Sequence, residues 1–196
     1  MNCKEEPRIK DSGERTEFAT GAVRDIQKGK GRCDLMPLDV VADCYRKAFG
    51  ESDHSWKVFR PLSIFKETGD HHWLILALTA FKEESNFNSW HEMILEVSKH
   101  FEEGAEKYGE NNWQKGIPVK RYIDSAVRHY LKWLRGDEDE PHDRAFCWNI
   151  LCAIWTCKHK PELNEYGLKT CFVCGTVIPD GKNECPNCMV FFGNPD

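Results

Sequence analysis

The 196-residue sequence has no apolar run that approaches the ~18 residues of a membrane span, and its first residues, MNCKEEPRIKDSGERTE, lack the apolar segment of a signal peptide. Positive charge is not in excess, because 27 lysines and arginines face 32 aspartates and glutamates. The GxxxxGK[ST] pattern is also missing, which excludes a P-loop nucleotide site. These absences predict a soluble, cytoplasmic protein with no membrane partner and no general attraction to nucleic acid.

The spacing of apolar residues predicts a mainly α fold. Hydrophobic residues make up 40% of the chain and charged residues 30%, enough for one core with a small appendage. Helical periodicity and breakers predict helices over 38–49, 72–81, 89–108, 118–134 and 142–157. The last of these is apolar on nearly every side, so we expect it to form the buried centre of a helical bundle. The stretch 51–70 shows no clear period and is expected to be irregular.

Changes in composition divide the chain into segments. Residues 1–18 are charged and lack apolar periodicity, which predicts a flexible tail. The helical domain follows over 19–157, and its first part, 20–37, is a loop that mixes glycines with basic residues. A polar linker over 158–168 leads to a separate C-terminal module at 169–196.

Four of the ten cysteines form two CxxC pairs in that module, separated by ten residues. They are Cys171, Cys174, Cys185 and Cys188. Two such pairs can surround one Zn²⁺ ion tetrahedrally, and four thiolates leave no open position for substrate. The sequence therefore predicts a zinc ribbon with a structural metal. Its few cations favour a cap or a protein-docking module over a nucleic-acid reader.

Two predicted helices carry charged residues that could serve a site. Glu102 and Glu106 lie one turn apart, a spacing that can hold a divalent cation such as Mg²⁺ but also occurs on any solvated helix face. Asp124 and Arg128 are four residues apart on the next helix, where an ordinary ion pair is the simpler interpretation.

Two histidines and an asparagine belong to the buried faces of the last two helices. His129 lies on an apolar ridge, where a core histidine is the simpler interpretation. His142 and Asn149 share one face of the last helix. Because a buried amide needs partners, Asn149 is expected to meet polar groups of neighbouring helices. Three helices could thus bring carboxylates, imidazoles and an amide together, as metal-binding bundles do.

Four segments together resemble a known family. They are TGAVRDIQKGKGRCDLMP at 20–37, FEEGAEKYGENNWQKG at 101–116, RYIDSAVRH at 121–129 and PHDRAFCWN at 141–149. They resemble the phage dATP/dGTP diphosphohydrolases, which are relatives of the all-α MazG-like nucleotide pyrophosphohydrolases. The resemblance covers about 20–37 and 94–155, and it implies that 50–92 is an insertion and that the zinc ribbon is an addition.

The resemblance implies a Mg²⁺ site and a phosphate-binding loop. Glu102, Glu103 and Glu106 match a MazG-like EExxE motif. The second acidic element could be Glu140 with Asp143, or Asp124. The expected catalytic residues are Glu102, Glu106, Asp124, His129, His142 and Asn149, of which Glu102, Glu106 and Asp124 would hold Mg²⁺. The expected nucleotide and phosphate ligands are Arg24, Asp25, Lys30, Arg32, Asp34, Lys107, Tyr108, Asn112, Trp113 and Arg128.

Three functions follow as hypotheses. The first is Mg²⁺-dependent hydrolysis of nucleoside triphosphates, above all purine deoxynucleotides, to monophosphate and pyrophosphate. The enzyme would be a homodimer or higher homo-oligomer in the cytoplasm. For a phage protein this would be the cytoplasm of the host. The second is a phage protein that sequesters a nucleotide without catalysis. The third is an interaction protein that docks on a partner through the zinc ribbon.

Overall fold

The structure is a computed structural model, and it describes residues 13–50, 54–167, 173–174, 184 and 186–189. Two short strands, β1 (Arg15–Glu17) and β2 (Val23–Asp25), precede six helices. The helices are α1 (Leu38–Phe49), α2 (Trp56–Thr68), α3 (His72–Glu84), α4 (Trp90–Tyr108), α5 (Val119–Arg135) and α6 (His142–His159). Short 3-10 turns lie at Cys33–Leu35, Asn112–Lys115 and Pro161–Leu163. The described chain is thus mainly α, as predicted.

The five predicted helices are confirmed, and their ends follow from local chemistry. The side chain of Ser89 caps α4 by accepting a hydrogen bond from Glu92 N at 3.1 Å. α5 ends at Arg135, and the following Gly136 adopts the left-handed conformation (φ 81°) that closes a helix without a Cβ clash. No described helix is long and apolar enough to cross a membrane.

The expectation of an irregular segment at 51–70 is wrong, because Trp56–Thr68 form α2. Pro61 inside the helix removes one backbone donor and masks the pattern. Val58, Phe59, Leu62 and Phe65 nevertheless recur at helical spacing and are fully buried. Burial of this face against the core outweighs the cost of the proline.

The expectation of a flexible tail over 1–18 is wrong for its last residues. Arg15–Glu17 pair with Val23–Asp25 in an antiparallel hairpin, in which Thr16 lies opposite Arg24. The residues before 13 lie outside the described ones. The second strand of this hairpin, Val23–Asp25, is itself part of the 20–37 segment that was predicted to be a loop.

The core is built around α6, which packs most extensively on α5. Ring contacts join the helices: Phe81 and Phe146 have centroids 4.5 Å apart, and Phe59 and Tyr130 are 5.0 Å apart. Cys147 and Cys152 of α6 are buried. The prediction of a central buried helix is confirmed, and residues 50–92 contribute two helices to the same core.

Candidate functional site

A cavity of about 780 Å³ opens between the hairpin, α4, α5 and α6. Its size lies within the range of small-molecule sites. Many of the predicted site residues line it: Arg24, Asp25, Lys30, Glu102, Tyr108, Asn112, Trp113, Arg128, His129 and Asn149. The structure does not place Arg32, Asp34, Glu106, Lys107, Asp124 or His142 in the cavity wall.

Arg24 enters the cavity from β2 and lies between aromatic rings. Its guanidinium carbon is 5.1 Å from the ring centre of Tyr122 and 5.7 Å from that of Trp148. Nη2 donates to Asn149 Oδ1, whereas Nη1 is buried with no hydrogen-bond partner among the described residues. Burial lowers the pKa of Arg24, but arginine remains charged at neutral pH. A buried cation with an unsatisfied donor favours an anionic ligand.

Asn149 and Asn112 attach the hairpin to the helices. Asn149 is buried, and its Nδ2 donates to Ala145 O at 2.8 Å. The amide of Asn112 bonds the backbone of Val23 twice, with Nδ2 to O at 2.8 Å and Oδ1 from N at 2.9 Å. The buried Asn149 does meet polar groups, but they belong to the hairpin and to α6 itself and not, as was expected, to the neighbouring helices. Asn112 fixes the backbone of Val23, and both residues line the cavity.

Asp25 gathers hydrogen bonds from three side chains. Arg15 Nη1 lies at 3.0 Å, Lys107 Nζ at 3.0 Å and the Tyr108 hydroxyl at 2.8 Å. Burial raises the pKa of Asp25. The hydrogen bonds from Tyr108 and Lys107 and the nearby lysine charges lower it by more, so the pKa of Asp25 is below its ordinary value. Lys107 is thus held by an ion pair with Asp25 and does not line the cavity, so its expected phosphate role stays a prediction.

Asp124 fastens the loop to α5, although the sequence assigned it to a Mg²⁺ site. Its carboxylate accepts from Gln27 Nε2 at 2.7 Å and from Cys33 N at 2.7 Å, and it pairs with Arg128. The residue is 2% exposed. Because both oxygens are already bonded, Asp124 acts here as an anchor for the loop.

The expected carboxylate trio is not brought together. Within the described residues, the groups of three His, Cys, Asp or Glu whose ligand atoms lie within 4.8 Å of one another include none of Glu102, Glu106 and Asp124. Glu102 lines the cavity, but Glu106 is an exposed residue outside it. Glu103 of the same motif pairs instead with Arg144 of α6, at 2.5 Å between Oε1 and Nη2.

Arg32 and Asp34 form a bidentate pair with each other. Arg32 Nε and Nη2 lie 2.7 and 2.6 Å from the two carboxylate oxygens of Asp34. Neither residue lines the cavity. The two side chains therefore satisfy each other away from the cavity, and their expected role as nucleotide ligands stays a prediction.

A histidine pair lies where α5 meets the start of α6. His129 Nδ1 and His142 Nδ1 are 3.0 Å apart, and His142 Nε2 lies 2.7 Å from Asp139 Oδ1. Burial, and then the neighbouring His142, lower the pKa of His129 well below its usual value, so this ring is neutral at pH 7. His129 is therefore part of a polar cluster and does more than fill the core.

Aromatic rings form another part of the wall. The ring centres of Phe101 and Trp113 are 5.4 Å apart, those of Phe101 and Trp148 are 5.9 Å apart, and His100 packs on Trp148 at 5.2 Å. Burial and the nearby charges of Arg144, Arg24 and Lys107 lower the pKa of His100 to about 3. A flat, apolar group such as a nucleobase can pack on these rings.

Residues 82–166 match the family model described as dATP/dGTP diphosphohydrolase, N-terminal. The diphosphohydrolase match begins in the last turn of α3 and includes all of α4, α5 and α6. It supports the family resemblance, and the family's description suggests hydrolysis of a nucleoside triphosphate. No curated protein and no solved structure matches the chain.

The predicted zinc ribbon falls largely outside the described residues. Cys171 and Cys185 are not among them. Cys174 Sγ and Cys188 Sγ, which are described, lie 3.6 Å apart although the two residues are fourteen positions apart in sequence. Two sulfurs bound to one zinc at about 2.3 Å in a tetrahedron would be about 3.8 Å apart. The separation suits the predicted ligands.

Sequence reasoning missed several residues of the cavity wall. Asp139 lies in the acidic turn, which resembles any solvated loop, and Lys132 belongs to the polar side of α5. The family resemblance offered Glu140 of the same turn only as a possible part of the second acidic element. Trp148 is part of an almost uniformly apolar helix, so no pattern separates it from the core. The proline and histidine that follow Glu140 were the available signal, because they place that carboxylate beside the next helix.

Proposed function

We propose that the cavity binds a nucleoside triphosphate, with purine deoxynucleotides as the main substrates, and hydrolyses it to monophosphate and pyrophosphate with Mg²⁺. The diphosphohydrolase match supports the reaction class. The observation that carries the assignment is Arg24, whose buried Nη1 has no partner among the described residues and whose guanidinium borders the cavity. A phosphate oxygen would complete its hydrogen bonds.

The other cations of the wall would share the polyphosphate. Lys30 and Arg128 line the cavity, and Arg128 Nε donates to Lys30 O at 2.9 Å, which keeps the two residues together. Arg128 also pairs with Asp124, so its guanidinium is held in a fixed orientation. In this proposal Arg24 grips one phosphate group, while Lys30 and Arg128 neutralise the others. Phe101, Trp113 and Trp148 would receive the base.

Glu102 is the wall carboxylate that fits a Mg²⁺ ion entering with the nucleotide. It lines the cavity at an exposed position of α4, so its carboxylate is accessible to an entering ion. Mg²⁺ commonly uses one or two carboxylates together with substrate phosphates and water, and when bound it polarises the phosphate oxygens. In the reaction, a water oxygen bonds to phosphorus, the α–β phosphoanhydride bond breaks and pyrophosphate departs.

The test incubates the pure protein with each of the eight common ribo- and deoxynucleoside triphosphates and Mg²⁺, and separates the products. We expect monophosphate and pyrophosphate in equal amounts, fastest from dATP or dGTP. Tight binding without turnover would instead identify a protein that sequesters a nucleotide. If no nucleotide binds, the remaining hypothesis is an interaction protein that uses the C-terminal module.

Arg24→Met should weaken nucleotide binding about 10- to 100-fold, because it removes a charge-assisted hydrogen bond while keeping an unbranched side chain among the rings. Arg32→Met is the matched control, since Arg32 pairs with Asp34 outside the cavity. Titration calorimetry with a non-hydrolysable dATP analogue measures both variants. Equal losses in the two would show that Arg24 has no particular role.

We also propose that the chain forms a homodimer, as the family resemblance implies. Ile94 and Leu95 of α4 expose 47% and 68% of their surface, which a second copy could cover. Light scattering on the pure protein should give twice the chain mass, and Leu95→Glu should give the mass of one chain.

A further inference from the structure

Two histidines and a glutamate meet beside the cavity. Glu140 Oε1 lies 3.7 Å from His129 Nδ1 and 3.8 Å from His142 Nδ1, while the two ring nitrogens are 3.0 Å apart. His129 and Glu140 line the cavity, and His142 is 2% exposed behind them. The three ligand atoms therefore surround one point at the cavity wall.

Asp139 orients one of these rings. Its Oδ1 lies 2.7 Å from His142 Nε2, so this nitrogen carries the proton and donates it to the carboxylate. The Nδ1 of His142 then carries a lone pair, and that lone pair faces His129 Nδ1. A carboxylate behind a histidine is the arrangement that fixes the tautomer of metal-binding imidazoles. Two ring nitrogens this close need either a proton or a metal ion between them.

The separations match those around a transition metal. Metal–nitrogen bonds of about 2.0–2.1 Å place neighbouring ligand nitrogens about 2.9 Å apart at right angles and about 3.4 Å apart in a tetrahedron. The observed 3.0 Å between the histidine nitrogens lies inside this range. Glu140 Oε1 lies about half an ångström farther from the two ring nitrogens than an oxygen bound to the same metal ion would. A change in its side-chain torsions can supply that distance.

We propose that His129, His142 and Glu140 bind a divalent transition-metal ion at the cavity wall. Two imidazoles and one carboxylate are typical ligands of Zn²⁺, Fe²⁺ and related ions, whereas Mg²⁺ prefers oxygen. The site is distinct from the carboxylates of α4 and leaves coordination positions open to the cavity. The ion's role as a ligand for phosphate or water rests on the proposed function, but its binding does not.

Nearby charges are compatible with this ion. Lys132 Nζ lies 3.2 Å from Asp139 Oδ2 and 4.0 Å from Glu140 Oε1, so it balances carboxylate charge from outside the cluster. Asp137, which with Asp139 and His142 forms an overlapping group, is bound by Arg135 at 2.5 Å. Glu140 is therefore the better third ligand.

The experiment titrates the full-length protein with Co²⁺ in Mg²⁺-containing buffer, without nucleotide. Cobalt bound by thiolates gives an intense near-ultraviolet charge-transfer band, whereas cobalt bound by nitrogen and oxygen gives only weak visible bands. The two kinds of site are thus separable even when the C-terminal cysteines also bind. We expect one nitrogen/oxygen-ligated Co²⁺ per chain that excess Mg²⁺ does not displace.

His129→Ala and Glu140→Gln should each remove this ion or weaken its binding at least 10-fold, while thermal unfolding remains cooperative. Asp139→Asn should weaken it about 10- to 100-fold through the orientation of His142. His72→Ala is the control, because the exposed Asp70–His71–His72 group could bind metal weakly at the surface. Co²⁺ binding that is equal in the wild type, His129→Ala and Glu140→Gln would overturn the proposal, as would its loss in His72→Ala alone.

The outcome is separate from that of the proposed function. If the ion binds and no nucleotide is hydrolysed, only the proposed function fails. If nucleotides are hydrolysed with Mg²⁺ and no nitrogen/oxygen-ligated Co²⁺ binds, only the transition-metal site fails.

Discussion

At the scale of single residues, Glu102 and Glu106 differ more than their spacing suggests. Both belong to α4, but Glu102 borders the cavity and Glu106 does not. Glu102→Gln keeps the side-chain volume and removes the negative charge, so we expect it to lower kcat at least 100-fold at ordinary Mg²⁺ concentrations. Glu106→Gln, one turn away, should stay within a few-fold of the wild type.

Steady-state hydrolysis over a range of Mg²⁺ concentrations measures both variants. If Glu106→Gln is as inactive as Glu102→Gln, the two carboxylates share the ion as the sequence predicts, and α4 must rotate or bend when nucleotide binds. Full activity of Glu102→Gln at every Mg²⁺ concentration would remove both residues from the site.

His100 predicts a pH dependence of stability. Its pKa in the folded protein is about 3 because of burial and of the positive Arg144, Arg24 and Lys107, whereas an unfolded histidine titrates near 6.5. Between these values the unfolded chain binds a proton that the folded protein does not. Stability is therefore lost as the pH falls below about 6.5, at up to about 1.4 kcal/mol per pH unit.

His100→Phe keeps the ring contact with Trp148 and removes the titrating group. Its free energy of unfolding, measured with urea from pH 7.5 to 5, should fall less steeply than that of the wild type. His91→Phe, at an exposed position of the same helix, should have the slope of the wild type. Parallel curves for His100→Phe and the wild type would contradict the assignment.

At the scale of elements, the 20–37 loop depends on a few buried polar groups of the helices. Asp124 binds both Gln27 and the backbone of Cys33. Asp124→Asn loses one acceptor oxygen and the charge that pairs with Arg128, so we expect a loss of about 1–3 kcal/mol in stability. Backbone amides of 23–35 should exchange hydrogen faster, while amides in α6 keep their protection.

The same variant distinguishes an anchor from a metal ligand. If Asp124 only holds the loop, the Mg²⁺ concentration for half-maximal activity should stay unchanged while kcat falls. A rise of ten-fold or more in that concentration, with normal exchange in the loop, would restore Asp124 to the metal site that the sequence assigned to it.

Local patterns predicted the long helices and missed the elements that long-range contacts decide. α4 and α5 have clear apolar stripes and breakers, so their ends were predictable within one or two residues. α2 was hidden because Pro61 interrupts a pattern that core packing still enforces. β1 has only three residues, too few for an alternating pattern, and its pairing with β2 depends on the turn between them.

The candidate site shows the same division. The sequence identified Arg24 and Asn149 separately, but their hydrogen bond joins residues 125 positions apart, which no local spacing encodes. The family resemblance, and no local spacing, assigned Asp124 to a Mg²⁺ site. In the structure its carboxylate instead accepts hydrogen bonds from Gln27 and from the backbone of Cys33. These contacts between the loop and α5 cannot be predicted from composition.

At the scale of the whole molecule, the cavity combines wall segments from distant parts of the chain. The hairpin contributes Arg24, α4 contributes Glu102, α5 contributes Arg128 and His129, and α6 contributes Asn149. The family match covers the helical segments but not the hairpin, which precedes residue 82. Arg24, the proposed phosphate-binding cation, therefore lies outside the matched region. The test of its role is independent of the family match.

The C-terminal module makes the last prediction, which concerns metal and fold together. Cys174 and Cys188 have sulfurs 3.6 Å apart, and with Cys171 and Cys185 they should bind one Zn²⁺ that survives dialysis against a weak chelator. Cys188→Ser replaces a soft thiolate by a neutral hydroxyl and should lose this zinc. Cys44→Ser, at an exposed position of α1, is the matched control and should keep it.

Elemental analysis measures the zinc, and thermal unfolding measures the stability of the helical bundle. The unfolding midpoint should move by no more than a few degrees, because the ribbon and the helical core are predicted as separate modules. Zinc retained in Cys188→Ser would rule out the four-cysteine site, and collapse of the whole unfolding transition would show that the metal also supports the bundle.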